Sequence, residues 1–210
     1  MNWARITPFT GLLAILIYFA SVFGLVPGGF RVVYPVFWLF GPSMVLFGIG
    51  IYHFFVLQQG DSLTLQIGKI FWVLAGFGVT LVGTFQGVAR EAFGLTTSMK
   101  FPEGTSEAIR NGFTAANSIQ SGADLTWDIF IFGAYMAFGL VMIKATLKWK
   151  IMGWLAILIA TLGIAFNFAA WPANPMNAGL IDAGPFAGVW GLILSILVYL
   201  ENRSDRLQLN

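Results

Sequence analysis

Cysteine is absent from this 210-residue chain, and histidine occurs once. Without cysteine the chain has no disulfide framework, no thiolate metal site and no thiol nucleophile. A single histidine also excludes metal or haem ligation by a pair of histidines from one chain. Charged residues make up only 10% of the sequence, against roughly 25% in a soluble domain. So few charges would leave a soluble surface uncovered, and we therefore expect the lipid bilayer to surround most side chains.

Recognised catalytic motifs are missing as well. The sequence contains no nucleotide-binding glycine loop, no Gly-x-Ser-x-Gly, no zinc-binding His-Glu motif and no lysine in mid-span that could hold retinal. We therefore predict a non-enzymatic protein without catalytic residues or a metal site. The formal net charge is +2, but the basic residues lie between apolar runs, which indicates topology signals and not a nucleic-acid partner.

What the sequence does contain is a series of long apolar runs. A spanning helix needs about 20 mostly apolar residues, and six stretches qualify: residues 8–26, 32–57, 67–88, 125–143, 151–170 and 185–200. Within lipid every backbone polar group must be bonded internally, so these stretches are predicted to be helices. The predicted fold class is all-α, a polytopic membrane bundle of six transmembrane helices forming one domain over residues 1–210.

The third connection, residues 94–122, is long and rich in Ser, Thr, Gly and Asn. Within it apolar residues recur at helical spacing: Ile109, Phe113, Ala116 and Ile119. Thr105 or Ser106 could cap such a helix. We predict a short amphipathic helix in this loop, lying on the membrane surface or covering the end of the bundle.

Lysine and arginine positions predict the orientation. With six spans, one side of the membrane carries seven basic residues: Arg5, Lys69, Lys144, Lys148, Lys150, Arg203 and Arg206. The other side carries four, mostly in or beside the long loop: Arg31, Arg90, Lys100 and Arg110. The sequence therefore predicts a multi-pass protein of the cytoplasmic (inner) membrane, with both termini in the cytoplasm and loop 94–122 outside.

Polar and ionisable residues gather at the predicted outer ends of the spans, where they form a candidate outer polar pocket: Gln86, Arg90, Glu91, Asp124, Asp128, Asn167 and Asp182. Such residues are costly in a membrane and are therefore candidates for a functional site. Asp124 and Asp128 are four residues apart and share a helix face. One interpretation is structural: they sit at a helix N-terminus, where the dipole favours anions, and form ion pairs with Arg31 or Arg90. The other is a pocket in which a carboxylate pair binds a cation or passes a proton.

Aromatic residues make up 16% of the chain. Four tryptophans, Trp149, Trp154, Trp171 and Trp190, fit the aromatic belts at membrane interfaces. The remaining aromatic surface either faces membrane lipid or packs a flat cofactor such as a quinone or a pigment. His53, near the cytoplasmic end of the second span, is either an interfacial histidine or an axial ligand to a pigment or haem.

The run Asp124–Gly163, DLTWDIFIFGAYMAFGLVMIKATLKWKIMGWLAILIATLG, opens with an acid-led helix, passes through a basic hairpin and continues into a helix started by Gly-Trp-Leu. In this pattern it resembles the second half of a bacterial family of six-helix integral membrane proteins of unknown function. The resemblance implies the fold and the topology and carries no activity, so it transfers no functional residue.

Three functional hypotheses follow from these observations. The first is a non-catalytic accessory or stabilising subunit that packs against other membrane protein subunits. The second is a small-solute transporter, channel or sensor that uses the outward-facing polar pocket. The third is a pigment- or quinone-binding membrane protein.

Overall fold

The computed structural model describes residues 3–22, 30–92, 103–171, 175 and 178–207 of the chain. All regular structure within these residues is helical, with no strand. A 3₁₀ turn at Trp3–Arg5 is followed by six α-helices: α1 Thr7–Val22, α2 Phe30–Gln59, α3 Leu63–Ala92, α4 Glu107–Met142, α5 Leu147–Ala170 and α6 Gly184–Leu207. The all-α prediction is confirmed for this part of the chain.

Each helix packs on the next along the chain, and α6 also packs on α1. Successive helices run antiparallel: Thr7 at the start of α1 lies against Gly50 late in α2, whereas Tyr18 late in α1 contacts Phe40. The start of α1, the α2–α3 and α4–α5 connections and the end of α6 therefore share one end of the bundle. An ion pair between Lys148 and Glu201 joins α5 to α6 at this end.

Five helical segments in the described residues are long and apolar enough to cross a membrane: Trp38–Gln59, Leu63–Thr84, Glu107–Met142, Leu147–Ala170 and Gly184–Arg203. They correspond to five of the six predicted spans. The first predicted span, residues 8–26, coincides with α1 up to residue 22, and the rest of it lies outside the described residues. With 16 residues, α1 measures about 24 Å, less than the roughly 30 Å of a bilayer core.

The predicted loop helix is not a separate element. Its residues form the first half of α4, which continues without a break into the fourth span, so α4 is about 54 Å long. The hydroxyl of Ser106 caps it by accepting a hydrogen bond from the Ile109 N–H at 3.4 Å. No proline occurs between residues 107 and 142, and an internal glycine such as Gly122 costs only about 1 kcal/mol. This stretch therefore contains no residue that would terminate the helix.

Aromatic side chains fill the centre of the bundle. Trp72, Trp149 and Trp190 are each at most 2% exposed, and the Trp190 Nε1–H donates to the Met152 carbonyl at 2.9 Å. The prediction that Trp149 and Trp190 anchor the membrane interface is therefore wrong. Trp149 shares the buried face of α5 with small residues such as Gly153 and Ala156, and on that face its ring packs inward.

Candidate functional site

Two carboxylates lie in the interior of α4, one turn apart. Asp124 and Asp128 follow the start of the helix at Glu107 by 17 and 21 residues, and both are half-buried. The helix dipole acts only within the first turn, so the predicted capping role of this pair is wrong. Asp128 precedes Lys144 by 16 residues, or about 24 Å of helix. With Lys144 at one boundary of a bilayer core about 30 Å thick, Asp128 would lie just inside the opposite boundary.

Asp182 brings a third carboxylate to the same place. Its Oδ1 accepts a hydrogen bond from the Gly184 N–H at 2.8 Å, so it is Asp182, and not the α4 pair, that caps a helix. Tyr18 of α1 reaches this turn: a Cβ added to Gly184 would lie 2.6 Å from the Tyr18 hydroxyl oxygen. The absence of a side chain at position 184 therefore lets the Tyr18 hydroxyl approach the start of α6.

The three carboxylates are close enough for their charges to act on one another and on Tyr18. Asn167 of α5 lies within hydrogen-bonding reach of Asp128, while its Nδ2 also donates to the Gly163 carbonyl at 2.9 Å. We call Tyr18, Asp124, Asp128, Asn167 and Asp182 the acidic cluster. It joins residues of α1, α4 and α5 to the residue that caps α6, so it exists only in the folded bundle.

A cavity of about 40 Å³ lies beside Asp128 inside the bundle. Its walls come mainly from aromatic side chains: Tyr18, Phe40, Phe47, Trp72, Trp127 and Tyr135. Their rings contact one another, with centroids 6.2 Å apart for Tyr18 and Phe40, and 6.5 Å apart for Phe40 and Trp127. Since one water needs about 10–15 Å³ of such volume, the cavity has room for a few waters or one compact group.

Two indole nitrogens in this wall lack an acceptor. Within the part of the chain that the structure describes, the buried Nε1 atoms of Trp72 and Trp127 have no hydrogen-bond partner. An unsatisfied buried donor costs about 1–3 kcal/mol. Both indole side chains line the cavity, and their nitrogens are buried within the wall.

The remaining residues of the predicted pocket belong to α3. Gln86, Arg90 and Glu91 lie in the last turns of this helix, at the same end of the bundle as Asp124, but their side chains lie outside the described residues. The same holds for Arg31, so the predicted ion pairs with Arg31 or Arg90 stay predictions. Among the described lysines and arginines, none forms an ion pair with Asp124, Asp128 or Asp182.

His53 lies in α2 near the opposite end of the bundle. Its ring contacts Tyr52 at a centroid distance of 5.2 Å, and it does not line the cavity described above. A pigment or haem ligated by His53 stays a prediction. An absorbance spectrum of the purified protein, flat above the protein band, would contradict it.

Sequence reasoning missed Tyr18, Trp72 and Trp127. Tyr18 directly follows the apolar run 11–17 of α1, so its hydroxyl was an available signal. Trp127 lies between Asp124 and Asp128 in the sequence. A tryptophan near the predicted end of a span matches an interfacial anchor equally well, so the sequence did not mark Trp127 as part of a site. Trp72 carries no signal at all, because only packing shows that its indole N–H is buried with no partner among the described residues.

The fold and this site define the class of protein: an all-helical membrane protein whose apolar helices enclose an aromatic cavity beside a cluster of carboxylates. Comparisons with models of protein families, with curated proteins and with solved structures found no match. The resemblance of residues 124–163 to a bacterial six-helix family therefore stays a prediction.

Proposed function

We propose that this membrane protein binds a small cationic solute in the pocket formed by the acidic cluster and the aromatic cavity, as a transporter, channel or sensor. The observation that carries the proposal is the convergence of Asp124, Asp128 and Asp182 beside a cavity whose walls are otherwise apolar. A carboxylate inside a membrane is costly and marks an ion or substrate path by default. Helix capping explains only Asp182, and no described ion pair explains the other two.

The orientation belongs to the same proposal. The end of the bundle that carries Lys144, Lys148 and Lys150 faces the cytoplasm of a bacterial inner membrane, in accordance with the positive-inside rule. Both termini then lie in the cytoplasm as well, because the start of α1 and the end of α6 share this end of the bundle. The acidic cluster faces outside, where it would meet solutes before they enter the cell.

Thermal stability of the purified protein in detergent tests the proposal, because a ligand that binds only the folded state raises the apparent Tm. The probes are the chlorides of sodium, potassium, ammonium and tetramethylammonium. We expect at least one of them to raise the apparent Tm of the wild type, and Asp128→Asn or Asn167→Ala to abolish that rise.

Asp61→Asn is the matched control. Asp61 is exposed at the other end of the bundle, where the Gln66 amide donates to its carboxylate at 2.8 Å and holds its pKa below the usual value. This variant should respond to the cations as the wild type does. The proposal is wrong if none of the four cations raises the Tm, or if Asp128→Asn responds as the wild type does.

An accessory or stabilising subunit is the second candidate, and one observation favours it. An apolar groove of about 650 Å³ opens between α5 and α6. Seven of its lining residues are exposed: Leu155, Leu158, Leu162, Ile181, Phe186, Val189 and Ile193. A helix of a partner subunit would bury this surface. Mass measurement of the intact complex after gentle extraction from native membranes tests the candidate, and a monomer carrying only lipid would contradict it.

A further inference from the structure

We propose that the exposed face of α5 beside the α4–α5 connection binds an anionic phospholipid of the adjoining leaflet, with the lipid phosphate on Lys144 and Lys150. This inference goes beyond the proposed pocket, because it concerns the lipid-facing surface at the opposite end of the bundle. It depends on three observations: an apolar helix face without a neighbour, lysines without partners beside that face, and the order of polar and apolar groups along it.

One side of α5 has no neighbour in the described structure. The helix packs mainly on α4 and α6, and its buried side carries residues such as Trp149, Met152 and Ala156. Of the five candidate spans it is the least buried, so in a membrane its other side meets lipid or another protein. Four residues at helical spacing form a stripe there, each more than half exposed: Leu147, Ile151, Trp154 and Leu158.

Positive charge collects at the start of this stripe. Lys144, Lys148 and Lys150 follow one another closely in the sequence, and the first turn of α5 contains no acidic residue. Lys148 is directed towards α6, where it forms the ion pair with Glu201. Lys144 and Lys150 are exposed, and neither forms an ion pair with a carboxylate in the described parts of the chain. These two lysines can therefore bind an anion from outside the chain.

The groups along the stripe follow the same order as the groups of a phospholipid. Lys150 and Trp154 are four residues apart, so they share a side of the helix and lie about 6 Å apart along its axis. The indole of Trp154 is 62% exposed and brings an N–H donor to this depth. Leu158 follows about 6 Å further into the membrane. Ammonium, indole N–H and alkyl groups thus match the phosphate, the ester carbonyls and the acyl chains of a lipid.

The lysines favour a lipid over a protein partner on this stripe. A partner helix would desolvate Lys150, which is costly unless the partner carries an acidic residue at that position. A lipid phosphate instead leaves both lysines at the membrane surface, where they stay hydrated. The groove proposed for a partner subunit begins at Leu155 and shares only Leu158 with the stripe, so the two surfaces are distinct.

Native mass spectrometry of the purified full-length protein in detergent tests this with dioleoylphosphatidylglycerol and dioleoylphosphatidylcholine. The two lipids share acyl chains, esters and phosphate, but phosphocholine carries its own cation and gains less from the lysines. One lysine near an anionic lipid contributes roughly a fivefold gain in affinity. With two lysines, we expect one phosphatidylglycerol to bind about 25 times more tightly than phosphatidylcholine.

Substitutions at three positions separate headgroup recognition from recognition of the esters. Lys144→Gln and Lys150→Gln should each weaken phosphatidylglycerol binding about fivefold and leave phosphatidylcholine binding unchanged. Lys150→Arg keeps the charge and should keep the wild-type preference. Trp154→Phe should weaken both lipids by the same factor, about threefold to tenfold, because it removes a donor to the esters that both lipids carry.

Arg203→Gln is the matched control. Arg203 is exposed at the same end of the bundle, but it belongs to α6. It follows Glu201 by two residues and therefore lies on a different side of that helix from the ion pair with Lys148. Its replacement removes the same charge as Lys150→Gln and should change neither affinity.

Three outcomes would overturn the inference. Equal affinities of the wild type for the two lipids would show that the headgroup charge is not recognised. An effect of Arg203→Gln as large as that of Lys150→Gln would reduce the preference to a general attraction between a basic protein and an anionic lipid. A dimer or a complex with a partner subunit that is lost on Trp154→Phe would assign the stripe to a protein. The cation response that tests the pocket depends on Asp128 and is measured separately, so either proposal can fail without the other.

Discussion

At the scale of single residues, small side chains decide how closely the helices approach. Gly139 of α4 and Gly153 of α5 face each other, and a Cβ added to Gly153 would lie 2.7 Å from the Gly139 carbonyl oxygen. Real Cβ atoms essentially never come that close to backbone. In lipid, where such packing is a main source of helix association, this contact holds the ends of α4 and α5 together around the basic hairpin.

Gly153→Val should therefore destabilise the protein by about 1–3 kcal/mol, the usual cost of overpacking. Denaturation of the purified protein in mixed micelles measures the loss. Ala165→Val is the matched control, since Ala165 is on the exposed side of the same helix, and it should change stability little. Equal losses for the two variants would mean that α4 and α5 do not meet at this glycine.

Asp128 provides a second prediction at this scale. If it serves a ligand and not the fold, Asp128→Asn should raise stability in the absence of ligand, by about 0.5–2 kcal/mol, because burial of a charge is costly and functional sites often carry such a cost. The apparent Tm of the unliganded variant measures this. A lower Tm would instead support a stabilising ion pair with Arg31 or Arg90.

Asp182→Ala gives the opposite expectation. Asp182 caps α6 through the Gly184 N–H, and loss of a cap costs about 1 kcal/mol. This variant should therefore lower the Tm under the conditions in which Asp128→Asn raises it. The same sign for both substitutions would contradict the distinction between a capping carboxylate and a functional one.

At the scale of elements, α4 is the helix around which the site is organised. It carries two carboxylates, and it is much longer than the bilayer core is thick, so its first turns, from Glu107, are exposed. The sequence showed the helical period of residues 109–119 and the apolar span that follows. It did not show that the two are one helix, because the polar residues between them match a loop as well as a solvated helix.

Ser106→Ala tests this continuity. Loss of the cap should fray the first turns and speed amide hydrogen exchange in residues 107–112, while exchange within residues 125–142 stays slow. Mass spectrometry of exchanged peptides measures both segments in one experiment. Fast exchange throughout residues 107–122 in the wild type would mean that the first half of α4 is not a stable helix.

At the scale of the whole molecule, the antiparallel order of the helices puts the basic hairpin and the acidic cluster at opposite ends. The sequence anticipated that separation from charge alone. Assigning the two ends to the two sides of a membrane rests on the positive-inside rule, and labelling can test it directly because the natural chain has no cysteine.

Labelling of single cysteines introduced at two exposed positions would determine the orientation of the protein in the membrane. Asn111→Cys should react with a membrane-impermeant maleimide on intact cells, whereas Lys144→Cys should react only after the cells are permeabilised. The cysteine-free wild type supplies the background. The reverse pattern would put the acidic cluster in the cytoplasm and turn the proposed pocket around.

The sequence by itself determined the solvent, the fold class and most of the spans. These follow from the total hydrophobicity of segments of about 20 residues, which can be calculated without knowing what each segment packs against. It also predicted that Asp124, Asp128, Asn167 and Asp182 lie at one end of the bundle together with Gln86, Arg90 and Glu91, because alternating helices bring corresponding ends together.

Only the tertiary structure decided what surrounds that group. Whether Trp72 faces lipid or a cavity, and whether Trp149 anchors an interface or fills the core, depends on which face of each helix meets its neighbours. In a membrane both faces are apolar, so hydrophobic periodicity loses its power to tell inside from outside. The aromatic cavity, the buried indole nitrogens in its wall and the contribution of Tyr18 follow from side-chain packing, which cannot be deduced from the order of the residues alone.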